Sequence, residues 1–332
     1  MKFGNDIQGN ALCDEVSPKI SVICPLFNKE QYIVETIQSL QAQSYSNWEL
    51  LIVDNGSTDN SVDKVKNIEE TRLQLLRSPQ RGPGAARNFG LKHSVGDWVL
   101  FLDADDLLEP DYLATQIQTV TQHPTASIVA AGWQEFQDDA PQQRVVKQPA
   151  GLGQSLQQLR DGAIAFVPWA VHAAMIRRSA LLPECHWPEA LDGFLGEDLA
   201  FWFRLVSRYL VAHSACQGAL YRIHTPHCRT QNRDVEKWFT GLHAAVSDNL
   251  QDCQRRSSPL TAGQCESLTR LYSQLYQQAL KAKHDAVAKE TLQLARSYLQ
   301  QYLAIAPQPK PSMRLRYLLG LRLFSQLATH LS

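Results

Sequence analysis

The sequence predicts an α/β fold: a mostly parallel, doubly wound sheet flanked by helices, followed by a helical C-terminal region. Three observations carry that expectation. Short apolar strands alternate with helix-forming stretches up to about residue 133. Trp98–Leu102 is a run of five apolar residues, as suits a strand buried on both faces of a parallel sheet. Asp103, Asp105 and Asp106 then crowd its C-terminal end, the edge at which open α/β sheets hold their ligands.

Taken in order, residues 1–18 read as a leader without a packing pattern. Ile20–Cys24 is a first strand, stopped by Pro25. Tyr32, Ile33, Ile37 and Leu40 share one face of the helix that follows, with Asn28 placed to cap it. Trp48–Val53 is the second strand, and Asp54-Asn55-Gly56-Ser57-Thr58-Asp59 turns the chain into a helix near Ser61. Leu73–Leu76 is a third strand, and the stretch from Arg81 to Gly90 is a glycine-rich turn that opens a short helix. Beyond Asp106 come a helix from Pro110 to about Gln122 and a strand from Ser127 to Trp133. Further on are apolar segments at Val145-Val146 and 173–176, a helix from about Glu197 to Ser207, and a last strand, Leu220–Ile223. Helix signals dominate from about Asp234, and the prolines of 307–311 set off a terminal helix. The expected division is 1–18 leader, 19–230 α/β domain and 231–332 helical region.

Composition excludes several classes. A net charge of −1 and a pI near 6.8 give no footing for a nucleic-acid binder. The first twenty residues hold no apolar core of a signal peptide, and no run reaches the roughly 18 apolar residues of a membrane span. Seven cysteines without paired spacing read as reduced thiols, with Cys24 a small core residue. The expected location is cytoplasmic.

The acidic cluster has two readings, a solvated turn or a site for a hard divalent ion with oxygen ligands. An EF-hand is excluded, because its sixth and twelfth positions fall on Leu108 and Ala114. Gly82-Pro83-Gly84-Ala85-Ala86-Arg87 misses the dinucleotide fingerprint at its third glycine and follows the third strand of its unit rather than the first. It is a tight turn or a phosphate contact, and Arg81 and Arg87 beside it suit oxyanions. Asp54 accepts from a base or ribose, or only closes its own turn. Glu197 and Asp198 are favoured by the dipole of a first helical turn, or supply a general base. His224 is a metal ligand or a polar strand end.

Together these stretches resemble the family 2 glycosyltransferases of GT-A fold. The matching text is SVICPLFNKEQYIVETIQSLQAQSYSNWELLIVDNGSTDNS, GPGAARNFGLKHSVGDWVLFLDADD, GEDLAFWFRLV and YRIH, spanning about residues 19–225. The resemblance implies transfer of a sugar from a nucleotide donor to a hydroxyl, with inversion. It places Pro25, Phe27, Asn28 and Glu30 in a first nucleotide-binding loop, and Asp54 and Asn55 at base and ribose. It sets Arg81 and Arg87 in the basic segment. Asp103-Ala104-Asp105 resembles the family's DXD signature, with Asp103 on ribose or metal and Asp105 on a Mg²⁺ or Mn²⁺ ion that bridges the diphosphate. Asp198 takes the place of the catalytic base, and His224 is a further candidate metal ligand. Asn55 departs from the acid pair common at the base-binding turn. UDP is still the favoured nucleotide, with dTDP and GDP open.

The implied acceptor is a saccharide or a lipid-linked saccharide, in cell-surface polysaccharide or glycolipid synthesis. Residues 313–332, apolar with Arg314, Arg316 and Arg322 close together, read either as a helix lying on an anionic membrane surface or as one packed on the domain. A Mg²⁺-dependent nucleotidyltransferase and a non-catalytic nucleotide-sugar-binding module are the alternative functions. Nothing in the pattern sets the sugar, the linkage or the oligomeric state.

Overall fold

The computed structural model describes residues 17–181, 185–194, 196–223 and 234–330, with the side chains of 319 and 322–330 set aside. Residues 1–16 of the expected leader, and His224, lie outside the described residues.

The first half alternates as expected. β1 (Ile20–Leu26), α1 (Ile33–Gln41), β2 (Trp48–Asp54), α2 (Ser61–Lys66), β3 (Leu73–Arg77), α3 (Pro83–His93) and β4 (Trp98–Phe101) follow one another. After them come β5 (Leu107–Leu108), α4 (Tyr112–Gln122), β6 (Ile128–Ala130), β7 (Trp133–Gln137), β8 (Ala140–Lys147), α5 (Leu156–Ala163), β9 (Ala174–Arg177), α6 (Arg178–Leu181), α7 (Glu197–Arg208), β10 (Val211–His213) and β11 (Ala219–Arg222). The helical region is α8 (Val235–Arg255), α9 (Ala262–Lys281), α10 (Asp285–Ile305) and α11 (Pro311–His330).

Among the described residues, seven strands form one sheet in the order β10-β6-β9-β4-β1-β2-β3. Its pairings are parallel except those of β9, which runs against both β4 and β6. The chain winds outward from β1 to β3 and then returns to β1's other side as β4. The crevice beyond β1 and β4 is therefore the switch point at which such sheets bind ligands.

β1 does not stop at Pro25. The residue pairs with Val53, because Ile23 and Pro25 turn their main-chain groups toward β4, whose pairing with β1 ends at Phe101. The missing proline N–H therefore interrupts no ladder bond. The expected strand 127–133 is two strands in two sheets. Ala131 donates to the Ala173 carbonyl at 2.8 Å and Gly132 to that of Cys216 at 3.0 Å, and the chain crosses between layers there. β7 then joins a smaller sheet, β5-β11-β7-β8. The short β10 carried too few residues to show a period.

α7 lies against β4 through an aromatic cluster. Phe201 is fully buried, stacks on Trp187 at 3.9 Å between ring centroids, and meets Phe101 edge-on at 5.7 Å. α8 packs on the C-terminal half of the same helix. Arg204 bonds Asp248 at 2.6 Å, and Arg208 bonds both oxygens of Asp252 at 2.6 and 2.9 Å. Burial alone would raise the Asp252 carboxyl, and the bonds and charge of Arg208 and Arg256 outweigh it, leaving it below its usual value. α9 and α10 pack as a hairpin with Tyr272 stacked on Tyr298. The terminal helix is not continuous: Gly320, at φ +72°, breaks α11. Met313 and Leu321 are buried, whereas Leu315, Tyr317 and Leu318 are exposed. Among the described residues no helix is long and apolar enough to cross a membrane.

The aromatic cluster makes Phe201 a main support of α7. Phe201→Ala should lower stability by about 3–5 kcal/mol, the usual cost of emptying a buried phenylalanine site. Urea unfolding followed by tryptophan fluorescence reads this directly, and a loss below about 1 kcal/mol would mean that α7 is held elsewhere.

Candidate active site

Three loops meet at the switch point and enclose a cleft of about 680 Å³. The end of β1 contributes Pro25 and the loop after it Phe27, Asn28 and Lys29; the second loop, after β2, contributes Asn55; the third, after β4, contributes Asp103, Asp105 and Asp106. Arg81 and Arg87 close one wall, and Tyr221 and Arg222 of β11 another.

The first two loops are laced together. Asn28, at φ +51°, accepts from the Thr58 N–H at 2.8 Å and gives its own N–H to Ser57 Oγ at 3.2 Å. Glu30 accepts from the Asn60 N–H at 3.0 Å and from its side-chain amide at 2.9 Å. Asp54 is buried and accepts from the Ser57 N–H, three residues on, at 2.9 Å, so that its carboxylate closes its own turn. Glu30 and Asp54 thus bond loop groups rather than line the cleft. Asn55 does line it, and its amide also grips the glycine-rich turn: it donates to the Gly82 carbonyl and accepts from the Gly82 N–H at 3.1 Å. A carboxylate could do only the second, which accounts for an amide at this position.

The acids of the third loop are divided among partners. Asp103 accepts from Arg87 Nη2 at 2.7 Å; that arginine is buried, its guanidinium 4.2 Å from the Trp187 ring centre. Asp105 accepts from Lys29 Nζ. The lysine's burial works against its charge, but Asp105, and then Asp103 and Asp106, more than compensate and raise its pKa. Asp106 has partners of its own. It is buried, accepts the Arg222 N–H at 2.8 Å and lies 3.1 Å from His172 Nδ1. Burial pushes its carboxyl up to about 6, against the opposing pull of His172. Arg222 braces the same loop, donating to the Asp105 carbonyl at 2.7 Å, to Glu35 at 2.6 Å and to Asp138.

The glycine-rich turn is not an open phosphate cradle. The N-terminus of α3 already holds a carboxylate: Asp192 accepts from the N–H groups of Gly84 at 2.7 Å and Ala85 at 2.9 Å. Gly82 has φ +124°, and a Cβ there would lie 2.0 Å from Asp192 Oδ2. Asn88 completes the latch by exchanging 2.9 Å bonds with both main-chain groups of Trp187. Burial and the Glu197 charge leave Asp192 raised despite its two amide bonds. The latched segment leads directly into α7. Glu197 and Asp198 occupy its first turn: Glu197 is buried and accepts from the Gly196 N–H at 3.2 Å, and Asp198 is half-buried and accepts from the Leu199 N–H at 2.9 Å. Asp198 does not line the cleft itself.

The structure therefore brings Pro25, Phe27, Asn28, Asn55, Arg81, Arg87, Asp103 and Asp105 to one cleft. The sequence pattern did not single out Lys29, Asp192, Asn88, His172 or Arg222. Two signals were present: glycines at 82 and 84 mark a close approach, and Arg222 stands inside YRIH. Asp103 and Asp105 offer two hard oxygen donors. Among the described residues no group of three or more His, Cys, Asp or Glu gathers as a metal site. The pair suits an ion that is held jointly with phosphate oxygens and water, as Mg²⁺ commonly is.

Comparison with known proteins gives a family and a fold. The family model of Glycosyl transferase family 2 matches residues 21–182. An Escherichia coli UDP-Glc:alpha-D-GlcNAc-diphosphoundecaprenol beta-1,3-glucosyltransferase, WfgD, is 37% identical over 105 residues, 31% of this chain and 42% of that protein. The first curated relatives are matched over 44% and 18% of their own length. The crystal structure of S. aureus TarS 1-349 in complex with UDP-GlcNAc superposes with a TM-score of 0.69 at 19% identity, covering 94% of this chain and 90% of that one. The mannosyltransferase PcManGT from Pyrobaculum calidifontis, in complex with GDP-Man and Mn2+, gives 0.53 at 20% identity, covering 95% and 84%.

The latch has a measurable strength. Asp192→Ala leaves two amides of the α3 N-terminus without their charged acceptor, so stability should fall by about 2–4 kcal/mol in chemical denaturation. Asp192→Asn, which keeps one acceptor oxygen, should recover part of it. Wild-type stability in the alanine variant would show the latch to be dispensable.

Proposed function

With residues 21–182 forming a glycosyl transferase family 2 domain of GT-A fold, we propose that this chain is an inverting, metal-dependent glycosyltransferase. In this reading it moves a hexosyl or N-acetylhexosaminyl group from a UDP-sugar to a hydroxyl of a saccharide or lipid-linked acceptor, in cell-surface polysaccharide or glycolipid synthesis. The observation that carries it is the juxtaposition of Asp103 and Asp105 with Lys29, Arg81 and Arg87 in one cleft at the switch point. Such a cleft offers oxygen ligands to a cation and positive charge to a diphosphate. UDP is favoured because TarS is described with UDP-GlcNAc and WfgD as using UDP-Glc.

Asp103 and Asp105 would hold Mg²⁺ or Mn²⁺, which when bound supplies Lewis-acid stabilisation of the leaving diphosphate. Asn55, set against Gly82, would shape the base and ribose side, with Asp54 acting there through the turn that it closes. The acceptor oxygen gives its proton to Asp198 and bonds to the anomeric carbon, while the bond to the diphosphate breaks on the opposite face. The electron pair leaves with the diphosphate, whose charge meets Arg81 and Arg87. A diphosphate departs without protonation, so one carboxylate suffices where a hydrolase needs two. The α/β part is assigned to residues 19–230 and the helical region to 231–332. On the cytoplasmic face of a membrane, the exposed Leu315, Tyr317 and Leu318 beside Arg314 would meet anionic lipid.

Asp198→Asn should lower transfer by about 10²–10⁴-fold while donor binding, read by thermal shift with UDP-sugars and Mn²⁺, is retained. Near-normal transfer would remove Asp198 from the role of base, and pyrophosphate release from a nucleoside triphosphate would point to nucleotidyl transfer instead. Leu318→Asp should reduce co-sedimentation with phosphatidylglycerol vesicles. Absence of wild-type sedimentation would end the membrane reading.

A further inference from the structure

The acid pair already carries two cations of this chain, and they are held in different ways. Arg87 is fixed: its side chain is 5% exposed, lies over Trp187 and bonds Asp103 at 2.7 Å. Lys29 is fixed only in its main chain. The residues on either side of it are tied to the second loop, and its own N–H donates to Ser61 Oγ at 2.8 Å. Its side chain, 31% exposed, is a flexible four-carbon stem whose ammonium sits on Asp105 inside the cleft, 5.9 Å from the Tyr32 ring centre.

We propose that Lys29 is the resident countercation of Asp105, displaced when a divalent ion binds and then turned to the diphosphate of the donor. This rests on reading Asp103 and Asp105 as ligands of a cation shared with that diphosphate. The reason is electrostatic. Asp103, Asp105 and Asp106 stand within four positions, so an unliganded loop needs positive charge, and the ammonium supplies it. A divalent ion on Asp105 competes for the same oxygen and repels the ammonium. The stem lets Lys29 retreat within a cleft that Arg81 and Arg87 also line, where an incoming diphosphate gives it a new partner. Metal and nucleotide then assist each other, because each lowers the cost that Lys29 imposes on the other. Arg87, wedged between Asp103 and Trp187, has no such freedom.

The test is Mn²⁺ binding to the full chain, read as loss of the free-ion EPR signal, with and without UDP. Lys29→Met should bind Mn²⁺ alone about fivefold more tightly than wild type, the scale of a partly exposed ion pair. UDP should strengthen Mn²⁺ binding less in the variant than in wild type. Lys29→Gln should behave as Lys29→Met, and Lys29→Arg, which keeps the charge, as wild type; concordance of the two neutral variants guards against a folding artefact. In an Asp105→Asn background the gain from Lys29→Met should vanish. Equal Mn²⁺ affinity in wild type and both neutral variants, or a gain that survives Asp105→Asn, overturns the role of Lys29 and leaves the metal reading standing. Failure of every form to bind Mn²⁺, even with UDP present, overturns both.

Discussion

Three carboxylates at the end of one buried strand repel one another, and much of the surrounding structure answers that repulsion. Asp103, Asp105 and Asp106 are each met by different elements: Arg87 from α3, Lys29 from the loop after β1, and His172 from the turn before β9 together with the Arg222 main chain of β11. Charges so close cannot share a low-dielectric site without partners. The division also separates their chemistry. Asp106 serves structure, buried at the base of the cleft with its carboxyl raised, whereas Asp103 and Asp105 are more open to it.

The second organising feature is the latch across the N-terminus of α3. A helix start preceded by glycines is a favourable place for an anion, and here the anion is Asp192. Asn88 and Trp187 extend the same contact, and Trp187 stacks on Phe201 within α7. The turn that carries Arg81 and Arg87 is thereby joined to the helix that begins with Glu197 and Asp198. Two sequence motifs more than a hundred residues apart become one rigid support, and a buried aromatic cluster beneath them resists their separation.

The helical region packs on the same support. Arg204 and Arg208 project from α7 to Asp248 and Asp252 of α8, so that the helix carrying Asp198 is also held toward its C-terminal end. Asp252 is met by both Arg208 and Arg256, whereas Arg204 and Asp248 share a single bond. The position of α7 is therefore set by contacts at two levels along it, the aromatic cluster at Phe201 and the ion pairs at Arg204 and Arg208.

The alternating apolar runs by themselves determined the parallel half of the large sheet. Trp48–Val53 and Trp98–Leu102 read as buried strands because the period of burial is local to each. They also located the acids at 54, 103 and 105 on the carboxyl edge, since strand direction fixes which end faces the ligand. Tertiary structure alone decided what those acids do. Asp54 is engaged by Ser57, Asn55 by Gly82, Asp105 by Lys29 and the α3 start by Asp192, 108 positions beyond Gly84. It also split 127–133 between two sheets and placed β9 antiparallel, choices made by distant main-chain partners rather than by residue type. Local patterns record which face of an element is buried; the partner that a charge or an unpaired amide finds depends on loops brought together only when the core closes.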